Sequence, residues 1–322
     1  MSTSEAVLGQ REHVLLPQGK RVLRRLVRDR TALVGAVVAA LFAAGAALAP
    51  WLSLHDPIDT DFANRFASPS LEHPLGTDNI GRDVLSRILH GGRLSLGMAV
   101  TATAGITTLG LVLGLVAGML GRLVDTVIMR LVDVLLALPT LILALVVVGL
   151  LGQGLRNLIV TIVLVQWPRY ARLVRGMTLE VREREFVEAA EAVGATRFRT
   201  TLRHVTPNLI GPVVVFSTID MGSTLLVVSS LSFLGFGVVP PTPEWGAMLS
   251  EAKAFIDRAP QLLAYPGLAI TTMVLAFNLA GDGLRDFLDP RTVQGTPPRG
   301  RARRRSLRPH PEPAPPAAGM ES

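Results

Sequence analysis

Six apolar stretches, each bounded by polar or charged residues, run along the chain at residues 31–52, 94–120, 131–151, 157–174, 209–234 and 261–279. A helix needs about 20 apolar residues to cross a bilayer, so the pattern predicts six transmembrane helices. The first stretch carries no charge. Its best cleavage-like triplet, Ala47-Leu48-Ala49, is followed by Pro50, so it reads as an anchor and not as a signal peptide. Gly35, Ala39, Ala43 and Ala47 recur every fourth residue, and Gly110, Gly114 and Gly118 repeat the spacing in the second stretch. Small residues placed in this way let membrane helices approach closely. Pro139 predicts a bend inside the third stretch.

Between the fourth and fifth stretches lies a polar segment, residues 186–208, FVEAAEAVGATRFRTTLRHVTPN. Phe186, Ala189, Ala190 and Val193 fall at i, i+3, i+4 and i+7, one apolar stripe on a helix. Phe198, Thr201, Leu202 and Val205 repeat that spacing twelve residues on. In one straight helix the second stripe would be turned by about 120° from the first, so both share a face only if the chain bends between them. Gly194 is placed for the bend. Thr196 is placed to cap the second helix and Pro207 to stop it. The segment is therefore expected to be two short helices set at an angle outside the bilayer.

Composition supports a membrane protein. Of the 322 residues 49% are hydrophobic but only 5% aromatic, so the apolar content is mostly Leu, Val and Ala. Cysteine is absent, which excludes disulfides, thiolate metal sites and thiol nucleophiles. The net charge of +7 does not point to nucleic acid, because the arginines gather at the edges of apolar stretches. Over six spans, 25 of the 32 Lys and Arg fall on the side of the two termini and residues 186–208, and 7 on the other. That asymmetry predicts cytoplasmic N and C termini and a cytoplasmic segment 186–208. The tail after Arg291, rich in Pro, Arg and Ala, lacks the apolar content to fold.

Candidate chemistry is sparse. Gly76-x-x-x-x-Gly81-Arg82-Asp83 has phosphate-loop spacing, but Arg-Asp stands where Lys and a hydroxyl are required. No other window offers a nucleotide loop, so this chain is not expected to bind ATP itself. His13, His55, His73, His90, His204 and His310 show no metal-site spacing, so no metal site is expected. Asp220 is the isolated acid of the fifth stretch, and Asp133 lies near the start of the third. An acid at that depth either lines a pathway or joins neighbouring helices, and for Asp220 both readings stand.

Several of these segments carry a resemblance. Glu188-Ala189-Ala190, three residues, Gly194, and a run ending in His204-Val205-Thr206-Pro207-Asn208 is similar to the EAA loop of ATP-binding cassette importer permeases. HPLGTDNIGRD (73–83), LSFLGFG with PPTPEWG (231–246) and AFNLAGDGLRDFLDP (276–290) resemble, in order, the C-type permease subunit of the dipeptide/oligopeptide/nickel importer family. The resemblance implies an all-α protein of a bacterial or archaeal inner membrane, with a coupling helix between spans 4 and 5. It implies a basic cytoplasmic lead (1–30), a first span with outer segment (31–93), a five-helix permease core (94–291) containing coupling loop 186–208, and a disordered tail (292–322). Glu188, Ala189, Ala190, Gly194 and Pro207 would be its coupling residues. The implied partners are a second permease, two ATPase subunits that bind ATP and magnesium, and an external substrate-binding protein. This chain would do no bond chemistry and bind no cofactor. Di- or oligopeptides are the expected cargo, with nickel or another small solute as the alternative. An ion-gradient-driven secondary transporter is the main rival; it predicts paired charges at mid-depth, for which only Asp220 answers. A non-transporting membrane scaffold is a second rival, and it would not need the angled helix pair.

Overall fold

The structure is a computed structural model describing residues 30–288. The basic lead as far as residue 29, the tail expected at 292–322, and the last residues of the expected core lie outside the described residues. Among those described there is no β-strand, only one isolated bridge between Thr77 and Asp83.

Helix α1 (Arg30–Ala47) and the short α2 (Ala49–Leu52) cover the first apolar stretch. Helix α3 (Val84–Met119) starts ahead of the second, because the Asp83 carboxylate accepts from the Ser86 N–H and caps the helix there. The third stretch differs most from expectation. The expected bend at Pro139 is there, but it is sharp enough to divide the stretch into α4 (Arg122–Leu136) and α5 (Thr140–Leu151), whose axes meet at 96°. Pro139 is the N-cap of α5, where its missing N–H is not needed, so the proline starts a new helix. Helix α6 (Leu155–Arg182) contains the fourth stretch and runs through Pro168.

After α6 come α7 (Glu185–Ala192), the one-turn α8 (Arg197–Thr200), a π-helical turn (Thr201–Val205) and α9 (Thr206–Leu231). Pro207 does not stop a helix, contrary to expectation. It occupies the first turn of α9, the position where proline is tolerated. The π turn carries the helix into it, with the Thr206 N–H bonded to the Thr201 carbonyl. The segment ends with a second π turn (Ser232–Phe236), α10 (Trp245–Ala252) and α11 (Gln261–Leu288).

By length and apolar content four described helical runs qualify to cross a membrane: Arg30–Ala47, Val84–Met119, Phe198–Phe236 and Gln261–Arg285. The pair α4 and α5 makes a fifth if counted as one broken span. Helix α6 is not among them, because Arg169, Arg172, Gln166 and Asn157 dilute its apolar content.

Small residues set the closest approaches. Gly110, Gly114 and Gly118 of α3 face Tyr170, Val174 and Thr178 of α6, as their spacing predicts. A Cβ on Gly114 would lie 2.6 Å from the Val174 Cβ and 2.7 Å from the Ala171 carbonyl oxygen. On α1, Gly35 meets α11, where a Cβ would lie 2.6 Å from the Leu279 Cβ. Ala39 is half-buried against the cluster around Ala46 and Trp245, and the end of the predicted α1 seam turns away. Ala43 and Ala47 are exposed while Ala32 and Ala46 are buried. A period of 3.6 rotates a strict four-residue repeat off the contact line. The largest apolar cluster joins α3 (Met98, Ile106), α5 (Val148), α6 (Leu158, Ile162) and α9 (Leu231).

At the end of α3 remote from Gly118, the motif residues fold into one ion-paired knot. Arg82 donates from Nε to Asp78 Oδ2 at 2.6 Å and from an Nη to Glu251 Oε2 at 2.6 Å. Arg87 reaches the same Glu251 oxygen at 3.1 Å. Both arginine side chains are buried, at 4% and 2% exposure. Gly81, at φ +85°, backs onto the Asp61 carbonyl and leaves no room for a side chain. Glu244, fully buried, caps α10 through the N–H groups of Gly246 and Ala247 and accepts from the Ser95 hydroxyl at 2.8 Å. The segment before α3 and the PPTPEWG segment are thus two halves of one polar joint.

Candidate functional site

The predicted coupling segment begins where α6 ends. Helix α7 closes with a Schellman turn: the Ala195 N–H bonds back to the Ala190 carbonyl at 3.0 Å, and Gly194 takes φ +89°. That left-handed residue supplies the predicted bend, and no atom lies within 4 Å of where its side chain would be. Thr196 then caps α8, its hydroxyl accepting from the Arg199 N–H at 3.4 Å. The Asn208 amide donates to the His204 carbonyl at 2.6 Å beside Pro207.

One side of this segment is fastened to the body. Val187 and Val205 are buried against Val174, Val181, Leu209, Val213 and Met119. Apart from Val205 and the half-buried Thr201 and Ala190, the predicted stripes face the other way. Phe186 is 41% exposed, Val193 89%, Phe198 75% and Leu202 54%. Ala189 is exposed too, and Ala190 lies half-buried at the turn. Glu188 is exposed and its carboxylate has no ion-pair partner among the described residues. Four large apolar side chains within one turn-bounded segment, facing away from the body that holds its other side, make an exposed apolar patch of the kind that marks an interaction surface.

Behind the patch, α6 is tied to its neighbours by three arginines. Arg169 donates to both oxygens of Asp220 on α9, at 3.1 and 3.2 Å, and to Gln166 Oε1 at 2.7 Å. The Tyr170 hydroxyl donates to Asp220 Oδ2 at 3.2 Å. Arg172 pairs with Asp133 of α4 at 2.5 Å. Arg175 holds Asp125 of α4 in a two-point contact at 2.5 and 2.6 Å. Arginines three apart on a helix are offset by about 60°, so the row winds from the α9 side to the α4 side. Each finds an acid on the way.

Asp220 and Asp133 do not meet one another, but both are bound to α6. Asp220 is buried at 6% exposure, whereas the Asp133 side chain is 54% exposed. Charge counting treats the three arginines only as orientation signals. Their i, i+3, i+6 spacing is the legible trace of the ladder, yet nothing in the sequence names the acids they reach.

The family profile described as "binding-protein-dependent transport system inner membrane component" matches residues 110–294. That described as "N-terminal TM domain of oligopeptide transport permease C" matches residues 17–69. The chain is 40% identical to a dipeptide transport system permease protein of Alkalihalophilus pseudofirmus, over 84% of this chain and 90% of that one. It is 42% identical to a nickel transport system permease protein of Escherichia coli K12, over 80% and 93%. It is 44% identical to a glutathione transport system permease protein of Escherichia coli O157:H7, over 83% and 89%. In fold it is similar to a chain of an inward-facing methionine ABC transporter, with TM-score 0.52 and 18% identity, over 62% of this chain and 95% of that one.

Proposed function

The chain belongs to the family of binding-protein-dependent transport system inner membrane components, and we propose that it is the C-type half of a heterodimeric permease for short peptides. As a family member it is a multi-pass membrane permease subunit of an ABC importer and not an enzyme; the ATPase is a separate subunit. Dipeptide and glutathione appear in the names of two relatives and nickel in that of a third. That majority favours a peptide cargo.

Six spans are built from α1, α3, α4 with α5, α6, α9 and α11, with both termini and α7–α8 in the cytoplasm. The 25-to-7 distribution of Lys and Arg supports this orientation. Helix α6 can cross despite its arginines because Arg169, Arg172 and Arg175 each have a carboxylate partner. The same pairing favours helix joining over a substrate-contact role for Asp220 and Asp133.

The observation that carries the coupling role is the outward patch of Phe186, Val193, Phe198 and Leu202 on a segment whose inner side is fixed by Val187 and Val205. Burying each of the four against an ATPase subunit contributes up to about 1.5–3 kcal/mol, discounted for their partial exposure. Glu188, without an ion-pair partner among the described residues, meets a basic group on the ATPase. ATP and its magnesium stay in the ATPase subunits. When these close on ATP, α7 moves, and α6 transmits the movement to α9 through Arg169–Asp220 and to α4 through the other two pairs. An external binding protein delivers substrate to the opposite face.

The test is co-purification of the ATPase with Val193→Asp, Phe198→Asp and Glu188→Lys variants. Membrane levels should stay near normal while ATPase recovery falls several-fold. Undiminished recovery with both aspartate variants would contradict the assignment.

A further inference from the structure

At the knot end of α3, His55 comes together with the consecutive pair Glu72 and His73, 17 residues further along the chain. One ligand atom from each lies within 4.8 Å of the others. The two imidazole rings are 4.5 Å apart, inclined by 31°. His73 Nδ1 sits 3.0 Å from Asp83 Oδ1. An ionised carboxylate only accepts, so Nδ1 carries the proton and Nε2 keeps its lone pair. A carboxylate that fixes the tautomer and orientation of a histidine in this way is the usual support of a metal-bound imidazole. His55 Nδ1 is buried and has no hydrogen-bond partner, whereas an interior nitrogen without one is costly. Glu72 is exposed, so its side chain is free to close the remaining distance.

We propose that His55, Glu72 and His73 form a binding site for a divalent first-row metal ion of zinc's class. Two imidazoles and one carboxylate are a borderline donor set, suited to zinc, cobalt or nickel and unsuited to magnesium or calcium, which take oxygen. Bonds of about 2.0–2.2 Å place tetrahedral donors roughly 3.4 Å apart, within reach of a small closure of Glu72. Water completes the fourth position. Bound there, the ion clips the residue 55 segment to residues 72–73 and, through Asp83, to the cap of α3. It is a resident clip in the loop, independent of the cargo the permease carries.

The experiment uses the assembled, nucleotide-free complex without a polyhistidine tag, stripped with a chelator and titrated with Co(II) alone. The wild type should take up one equivalent with visible d–d absorption of a four-coordinate ion, be displaced by Zn(II), and melt at a higher temperature when loaded. His55→Gln and Glu72→Gln should weaken binding by at least about tenfold, and Asp83→Asn, which keeps the helix cap, by about 10- to 100-fold. Each variant should match the wild type's melting temperature in chelator, which separates a lost site from a lost fold. Should His55→Gln misfold, Glu72→Gln decides, since it alters only an exposed carboxylate. Equal Co(II) uptake by wild type and the His55→Gln/Glu72→Gln double variant, or no uptake by the wild type at micromolar metal, would overturn the proposal.

Discussion

Arg169 on α6 and Asp220 on α9 are joined at both carboxylate oxygens, yet their surroundings differ: the Asp220 side chain is 7% exposed and that of Arg169 is 41%. The pair is therefore asymmetric to cut. Arg169→Leu strands a buried carboxylate and should cost about 3 kcal/mol or more. Asp220→Asn leaves Arg169 free to turn to water and keeps hydrogen-bonding capacity, so about 1 kcal/mol is expected. Replacing both by leucine should recover most of the loss. Thermal melting of the purified complex should give that order, and a reversed order would mean that the carboxylate faces water in the assembly.

Two glycines of one helix should behave oppositely. A side chain on Gly114 runs into Val174, whereas nothing lies within 4 Å of the corresponding position at Gly97. Gly114→Val should destabilise the α3–α6 contact by about 1–3 kcal/mol, seen as faster proteolysis in membranes. Gly97→Ala should be neutral or slightly stabilising. Equal behaviour of the two would remove the small-residue seam from the account.

Glu251 accepts from both Arg82 and Arg87 in the far-end knot. Glu251→Ala leaves two buried guanidinium groups with Asp78 as their carboxylate neighbour, a loss of about 3–5 kcal/mol. Expression in the membrane should fall sharply, while Asp59→Asn, a change confined to an exposed carboxylate, should leave expression unchanged. Equal membrane levels of the two variants would show that the knot does not hold the fold.

The legible parts of the fold are those governed by local periodicity. Gly110, Gly114 and Gly118 are spaced as a helix contact requires, and Gly194 interrupts two stripes that share no face without a bend. Three features lie beyond such reasoning for physical reasons. Proline in a first turn looks the same in sequence as proline that ends a helix, so local pattern takes Pro207 for a stop, and at Pro139 it gives the bend but not the start of a separate helix. The partners of Arg169, Arg172 and Arg175 lie tens of residues away, and helical spacing predicts a row without naming what it meets. The stripes at Phe186 and Phe198 announce an apolar face but not its direction; Val187, off the main pattern, and Val205, at the end of its stripe, carry the attachment to the body.

Gly194 should matter through backbone angle and not through space. At φ +89° a β-branched residue is strained by about 1–3 kcal/mol, although the site itself is open. Gly194→Val should reach the membrane yet lose most substrate uptake and binding-protein-stimulated ATP hydrolysis. Gly194→Asn should retain more of both, since asparagine tolerates positive φ. Normal transport by Gly194→Val would show that the Schellman bend is dispensable.

The central claim, that the α7–α8 face docks the ATPase, is tested most directly by cross-linking in intact membranes. The chain has no cysteine, so single cysteines at Val193, 89% exposed, and at Leu71, fully exposed, can carry a short photoactivatable probe. The account predicts that the Val193 probe captures the ATPase subunit and is shielded from an impermeant thiol reagent outside the cell. The Leu71 probe should react from outside and never capture the ATPase. Capture of the ATPase from position 71, or external labelling of position 193, would contradict it.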